Sequence, residues 1–364
     1  MPKRSRTGKQ VGGQYVTQKD VAELAGVSPS IVSYVINNGP RTISEATRQR
    51  VLNAIEELNY RPNVHAQKLM LASWESDLSP RQFGVVISGA RSILLRPYYP
   101  RVLYGILEEA ARQHMSMRFL MFMDELENPL IFNKLFHPEE ISSAIIIAAG
   151  PILYTEVGLA IIDRIRERIP NLVSIGRSLP NISTVMYDLP AAIHQSTTYM
   201  LGLGHRRVAY IGTFELHIEG FRQAFLDFGL EPDPALILEI PDTNTPEHGI
   251  QKAQELLDMG GLQGPTPVTA IVAANDEVAW GVVYCLKRAG LRIPQDVSVI
   301  GLDNLILSAY LDPPLTTVSL PMPQIGIQAV QVLRERASSS AAPPLVITLP
   351  TELILRASCA PPKI

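Results

Sequence analysis

The chain has 364 residues, with 32 Lys+Arg against 35 Asp+Glu and two cysteines. Two thiols in a chain of this size exclude a disulfide framework and suit a reducing compartment. A formal net charge of −3 is small, so any surface built for a polyanion has to be local.

Residues 1–16 carry Lys3, Arg4, Arg6 and Lys9 without an acid and read as a disordered basic tail. The first 20 residues are polar and basic, with no apolar export segment, so a cytoplasmic location is expected. Order is expected from Thr17, because Thr with Asp three residues later satisfies orphan helix donors. Val21, Leu24 and Ala25 share one face of the helix that follows. Gly26 suits the left-handed turn that closes it, and Ser28-Pro29 supplies a new cap and a first-turn proline. In this second helix Val32, Val35 and Ile36 point inward beneath Val27. Pro29, Ser30, Ser33, Tyr34 and Asn37 then form a small, polar, uncharged outer face. A third helix over 44–58, capped by Ser44, carries Val51, Ile55 and Leu58 and closes a three-helix unit. Charge agrees with a helix-turn-helix head. Residues 1–70 hold ten Lys+Arg and five Asp+Glu, a net of +5, and the remainder holds 22 and 30, a net of −8. A cationic head suits phosphate contact, since neutralised phosphates release counterions.

The run VAELAGVSPSIVSYVIN at 21–37, then LNYRPN at 58–63 and AQKL at 66–69, strongly resembles the LacI family of bacterial transcription regulators. That family's amino-terminal signature runs like VAxxAGVSxxTVSxVLN, LNYxPN and A-R-S-L. The resemblance implies a DNA-binding domain over 17–62 and a hinge helix and linker over 63–82. The second helix would enter the major groove, with Pro29, Ser30 and Tyr34 reading sequence. Thr17, Ser28, Ser33 and Asn37 would mostly meet phosphates. The hinge would push Leu69 into the minor groove, flanked by Asn63, His65, Gln67 and Lys68. This chain departs from the family pattern at Pro29, Ile31 and Tyr34, which places bidentate guanine readout there in doubt and leaves the operator sequence open.

From residue 83 onward, short apolar runs suited to buried parallel strands alternate with helical segments. Strands are expected at 83–88, 117–122, 144–148 and 172–175, then at 208–212, 236–240, 270–274 and 297–301. Helices are expected at 98–113, near 131–136, at 155–168, 191–203, 218–228, 246–259 and 277–289. The longest apolar run, 144–154, contains Gly150 and Pro151 and is too short to span a bilayer. Alternation of this kind gives right-handed crossovers around doubly wound parallel sheets, and roughly 280 residues exceed one core. The expected architecture is therefore α/β: a three-helix head followed by a two-lobed, periplasmic-binding-protein-like domain over 83–364. Lobe one would hold about 83–183 and 317–342, and lobe two about 184–316 and 343–364, with crossings near 183, 317 and 343.

Ligands of such sheets lie outside the carboxyl ends of the strands. LGHRRVAYIG at 203–212, GFRQAFLDFGL at 220–230, ANDEVAWG at 274–281, PQDVSVIGLDN at 294–304 and PPLTTV at 313–318 are close to family motifs. By that resemblance Asn275 and Asp303 would bind effector hydroxyls. Tyr98 and Tyr99, in RPYY at 96–99, would stack on a sugar face. Arg177 and Asp188 join them, and His217 stands where the family often has an effector-gripping Arg. The implied partners are double-stranded operator DNA, a small-molecule effector, most simply a carbohydrate, and a second copy of the chain. Leu103, Ile106, Leu107, Trp280 and Tyr284 are candidates for the homodimer interface. Without leucine heptads after Arg356, a dimer is expected in preference to a tetramer.

Two other classes compete. A purine-type corepressor would suit the same architecture as a sugar. A sugar-binding transport receptor would share the two lobes but would have no use for residues 1–70. An enzyme is not expected. GLGHRR at 202–207 lacks the third glycine of a dinucleotide loop and precedes a strand, and neither G-x-S-x-G nor H-E-x-x-H occurs. Seven scattered histidines propose no metal, and no cofactor is expected.

Overall fold

The computed structural model describes residues 16–37, 43–60, 81–149, 155–213, 215–241, 244–262, 266–337 and 343–363. The expected basic tail through residue 15 and the expected hinge over 63–71 lie outside them. Helix α1 (Gln18–Ala25) starts at the anticipated cap. The Thr17 backbone N–H and hydroxyl both donate to Asp20 Oδ2 at 2.7 Å, and the Thr17 oxygen accepts from the Asp20 N–H at 3.4 Å. Gly26, at φ 65°, ends the helix in the left-handed region where a side chain would be strained. Helix α2 (Pro29–Asn37) follows at once, and α3 (Glu45–Glu57) begins at Ser44, whose hydroxyl accepts from the Thr47 N–H.

Val21, Val32, Val35, Val51 and Ile55 form the centre of the head. Leu24, expected inside, is exposed, and Ala22 is buried in its place. In a helix of eight residues, a rotation by one position decides which side chain faces inward.

The body rests on two six-stranded sheets. The first contains β1 (Arg81–Ile87), β2 (Met115–Phe122), β3 (Ser143–Ile147), β4 (Leu172–Ile175), β5 (Ser183–Tyr187) and β11 (Val346–Leu349), in the order β11-β5-β4-β3-β1-β2. The second contains β6 (Val208–Gly212), β7 (Ile237–Glu239), β8 (Ala270–Ala273), β9 (Ser298–Asp303), β10 (Thr316–Ser319) and β12 (Glu352–Ile354), in the order β12-β10-β9-β8-β6-β7. Pairing is parallel at β1–β2, β1–β3, β6–β8 and β9–β10, whereas β12 runs antiparallel to β10 with Leu353 opposite Val318. Strands β3, β4, β6, β8 and β9 are buried along their whole length, as parallel strands covered on both faces must be.

The helices are α4 (Tyr98–Arg112), α5 (Pro129–Leu135), α6 (Glu156–Arg168), α7 (Leu189–Gly202), α8 (Glu215–Asp227), α9 (Pro246–Asp258), α10 (Asp276–Arg288) and α11 (Met322–Ala337). Strands β5, β10, β11 and β12 and helix α11 were not among the expected elements. STVMY and TTVS interrupt their apolar pattern with hydroxyls, and those of Ser183, Thr184, Thr316 and Thr317 are buried with hydrogen-bond partners: Thr316 Oγ1 accepts from the Arg356 N–H at 2.9 Å. By sheet membership the chain passes from the first sheet to the second between Tyr187 and Val208, back between Ser319 and Val346, and to the second again between Leu349 and Glu352.

The described residues gather into two units. One holds the head with β1, β2, β3, α5 and α6; the other holds 91–109, 173–332 and the described part of 343–364. Within the second unit Ile106, an expected interface residue, is fully buried, and Trp280 donates its indole N–H to Ser308 Oγ at 3.1 Å while packing on the core. Ile106 belongs to the interior and Trp280 is half-buried, whereas Leu107 and Tyr284 are exposed. Among the described residues no helix is long and apolar enough to cross a membrane.

Candidate functional site

The head turns Ser28, Pro29 and Ser30 fully outward and leaves Ser33 and Tyr34 part-exposed, while Val32 and Val35 anchor the same helix beneath. That division follows from the 3.6-residue period of α2 and yields a short rod with a polar, uncharged rim. Thr17, expected at a phosphate, has its hydroxyl engaged with Asp20 in the cap of α1. Of Asn37 only its place at the end of α2 is described. Asn63, His65, Lys68 and Leu69 lie outside the described residues.

A second polar constellation lies in the second unit, at the carboxyl end of β9. Asp303 closes that strand at φ 119° and Asn304 follows at φ 54°, two successive non-glycine residues in the left-handed half of backbone space. Asn304 is fixed by every polar group it has. Its N–H donates to Thr317 Oγ1 at 3.3 Å and its Nδ2 to Ser319 Oγ at 3.2 Å. Its carbonyl accepts from Arg101 Nη1 at 3.3 Å and its Oδ1 from Arg356 Nη2 at 2.6 Å. These bonds offset a conformation that would otherwise cost about 1–3 kcal/mol per residue.

Asp303 itself is buried, and among the described residues nothing donates a hydrogen bond to its carboxyl. Burial and the neighbouring Asp276 carboxylate hold it well above the usual carboxylate range, against the opposing pull of Arg96 and Arg101. Three phenol rings stand beside it. Tyr98 and Tyr99 meet edge to face with centroids 5.0 Å apart, and Tyr98 and Tyr187 meet at 6.3 Å and share a hydroxyl hydrogen bond. Burial pushes the Tyr98 and Tyr187 hydroxyls up, and Asp303 adds to both, while Arg177 pulls Tyr187 the other way. Arg96 Nε lies 3.7 Å from Glu277 Oε2. The arrangement offers aromatic faces, hydroxyls that both donate and accept, and an unsatisfied carboxyl: chemistry for a small hydroxylated molecule.

Comparison with known proteins decides the family. The profile of bacterial regulatory proteins of the lacI family matches residues 17–63, and that of the periplasmic binding protein-like domain matches 197–359. The HTH-type transcriptional regulator DegA of Bacillus subtilis (strain 168) is 30% identical, over 94% of this chain and 97% of its own length. The chain belongs to the LacI family. The HTH-type transcriptional repressor PurR of Aliivibrio fischeri (strain MJ11) is 27% identical over 94% of this chain and 98% of its own. Among solved structures, the transcriptional regulator CelR–cellobiose complex is 25% identical with a TM-score of 0.65, covering 94% of this chain and 99% of that one. The lac repressor dimer bound to operator and the anti-inducer ONPF has a TM-score of 0.64 at 24% identity, covering 95% of this chain and 100% of that one, and shows the shared fold. This LacI-family chain is thus a DNA-binding transcriptional regulator, not an enzyme.

Of the seven effector residues expected from sequence, the fold brings Tyr98, Tyr99, Arg177 and Asp303 to one cluster. Asn275 and Asp188 have local work. Asn275 Oδ1 caps α10 by accepting from the Val278 N–H at 2.8 Å, with its Nδ2 on the Asn244 carbonyl, and Asp188 caps α7 through the Ala191 N–H at 2.9 Å. The side chain of His217 lies outside what is described. Four participants were missed: Tyr187, Arg96, Arg101 and, above all, Asp276.

Asp276 is fully buried at the first turn of α10. Its Oδ2 accepts from the Leu305 N–H at 2.8 Å and Ser308 Oγ at 2.6 Å, and its Oδ1 accepts from Thr317 Oγ1 at 2.6 Å. It therefore ties β10 and the segment after Asn304 to α10. Gly301 on β9 leaves the room this needs, because a Cβ there would strike Asp276 Oδ1. Burial raises the Asp276 carboxyl from 3.8 to about 6, although its three donors resist the shift. A carboxyl raised by folding contributes stability below its unfolded value and loses it as pH climbs through the folded one. The stability difference between the parent chain and Asp276→Asn should therefore grow as pH falls from 7 to 4, by roughly 2–3 kcal/mol at 1.36 kcal/mol per unit. Denaturant titrations at both pH values check this, and a difference that does not change with pH contradicts it.

Proposed function

We propose that the chain is a repressor that binds a two-fold operator as a homodimer and is switched by a sugar or sugar derivative at the Tyr98–Tyr187–Asp303 cluster. The observation that carries the effector reading is the buried Asp303 carboxyl, without a donor among the described residues and beside three tyrosine rings. Hydroxyls of a polyol supply the missing donors, and the rings cover an apolar sugar face. Arg177 and Asp188 would border the ligand. The cellobiose held by the CelR structure supports the same class. A second reading, a purine-type corepressor, draws on the PurR relatives and on the capacity of the tyrosines to stack on a planar base.

In this reading Pro29, Ser30 and Tyr34 face bases, while Thr17, Ser28, Ser33 and Asn37 face phosphates. Leu69 is the minor-groove wedge, with Asn63, His65 and Lys68 beside it. Support for the dimer comes from large apolar side chains left in solvent on the second unit, among them Tyr104, Leu107, Ile306 and Tyr310. Effector binding would bias the DNA-competent arrangement by a coupling of about 1–3 kcal/mol.

Selection of bound genomic fragments, followed by titration with sugars and with purines, tests the reading. Leu69→Ala should weaken binding to a selected fragment about 100-fold and to random duplex only slightly, because unstacking is required only at the operator. Equal losses on both duplexes remove the wedge, and fragments that respond to neither ligand class remove the effector assignment.

A further inference from the structure

Within the first unit, the head is seated on the body through one end of α3. The Ile55 carbonyl, in the last turn of α3, accepts from Asn133 Nδ2 on α5 at 3.3 Å. Asn133 is buried and its Oδ1 has no hydrogen-bond partner among the described residues, so its one hydrogen bond goes to the head. Leu130 of the same body helix packs against the head's apolar core. One residue along, Glu56 Oε1 lies 3.3 Å from Arg164 Nη2 on α6.

The body prepares this seat from its own residues. The guanidinium of Arg164 lies 4.2 Å from the centroid of the Phe132 ring and that of Arg168 lies 4.7 Å from it. Phe132 is in turn buried and stacked on Phe136 at 5.1 Å, and Arg168 reaches the Phe136 carbonyl at 3.5 Å. Two cations held on an aromatic face need little further ordering to meet an anion. They meet the carboxyl end of α3, where the negative end of the helix dipole and Glu56 concentrate negative charge. Glu56 also favours the charged form of Arg168, against the burial that lowers it. The outer face of α2 points elsewhere: Ser28, Pro29 and Ser30 remain exposed with the head in place.

We propose that α3 and the Asn133–Arg164–Arg168 seat form a latch that fixes the orientation of the recognition helix on the body, a route from body to DNA that does not pass through residues 61–80. A covalent linker alone would not need a buried asparagine reserved for the head or two arginines arranged to receive Glu56.

The test reads geometry without DNA, so it stands or falls independently of the repressor reading. Spin labels are placed at Glu23→Cys on the head and Glu127→Cys on the body of the full chain, diluted with unlabelled chain so that only distances within one chain are measured. The parent chain, labelled in parallel, corrects for Cys285 and Cys359. The latch requires one narrow distance distribution, its broadening to longer distances in Arg164→Glu, and its recovery when Glu56→Arg is added to Arg164→Glu. Recovery in the double variant also shows that the single variant had not simply misfolded. A distribution already broad without the charge reversal, one that Arg164→Glu leaves unchanged, or a double variant that stays broad overturns the proposal.

Discussion

Asp303→Ala is expected to abolish the effector response while leaving operator affinity without effector within about threefold of the parent chain, as for well-separated sites. The carboxyl is buried, lacks a donor among the described residues, and is held by desolvation toward its protonated form. A ligand hydroxyl can supply such a group with a donor that the described residues do not. Removing it leaves the ligand hydroxyls it would pair with unpartnered, about 1–3 kcal/mol, so effector affinity should fall by up to about 100-fold. Asp303→Asn separates the two components of that loss. Asparagine tolerates the φ of 119° better than alanine does and keeps one acceptor oxygen, so about a tenfold loss is expected. Calorimetric titration of the effector and anisotropy of a labelled operator measure both quantities. An alanine variant that still responds to effector excludes Asp303 from the site.

The head was legible because its signals are local. A capping box, a left-handed glycine and a Ser-Pro start lie within 13 residues of one another, and each is realised where it was read. Leu24 shows the limit of that reading, since periodicity across two turns does not fix the rotation of a helix.

The effector site was only half legible. ANDE offers three polar residues after β8, and the pattern does not say which begins the helix. The family resemblance offers Asn275 as an effector ligand; in the structure α10 starts at Asp276, one residue before the expected Glu277, and Asn275 caps it. Tyr187 was missed because STVMY does not read as an apolar strand. Arg101 and Arg356 reach Asn304 from 203 and 52 residues away, a closure that only the assembled sheet provides.

Asp276 connects these observations, because its carboxylate holds both the segment after Asn304 and Thr317. Its position is set by α10, and that of α10 by the neighbour it crosses. There, two glycines replace side-chain packing with backbone contact. A Cβ on Gly249 of α9 would strike the Val278 carbonyl, and one on Gly281 of α10 would strike the Pro246 carbonyl. Neither obstacle is the end of a flexible side chain, so neither can give way cheaply.

Gly281→Ala should therefore force α9 and α10 apart and destabilise the protein by about 3 kcal/mol, the upper part of the range for overpacking. At about 2–4 °C per kcal/mol for a domain of this size, Tm should drop by about 6–12 °C in a calorimetric scan. Gly202→Ala is the matched control. It lies at the end of α7, and nothing within 4 Å would meet its Cβ. Exchanging glycine for alanine in a compatible helix should raise stability by about 0.5–1 kcal/mol. The crossing variant should also lose effector affinity at temperatures where it remains folded, since Asn275 and Asp276 ride on the displaced end of α10. A Gly281→Ala chain that melts with the parent shows that the helices can separate without strain, and the close crossing would then not be what positions Asp276.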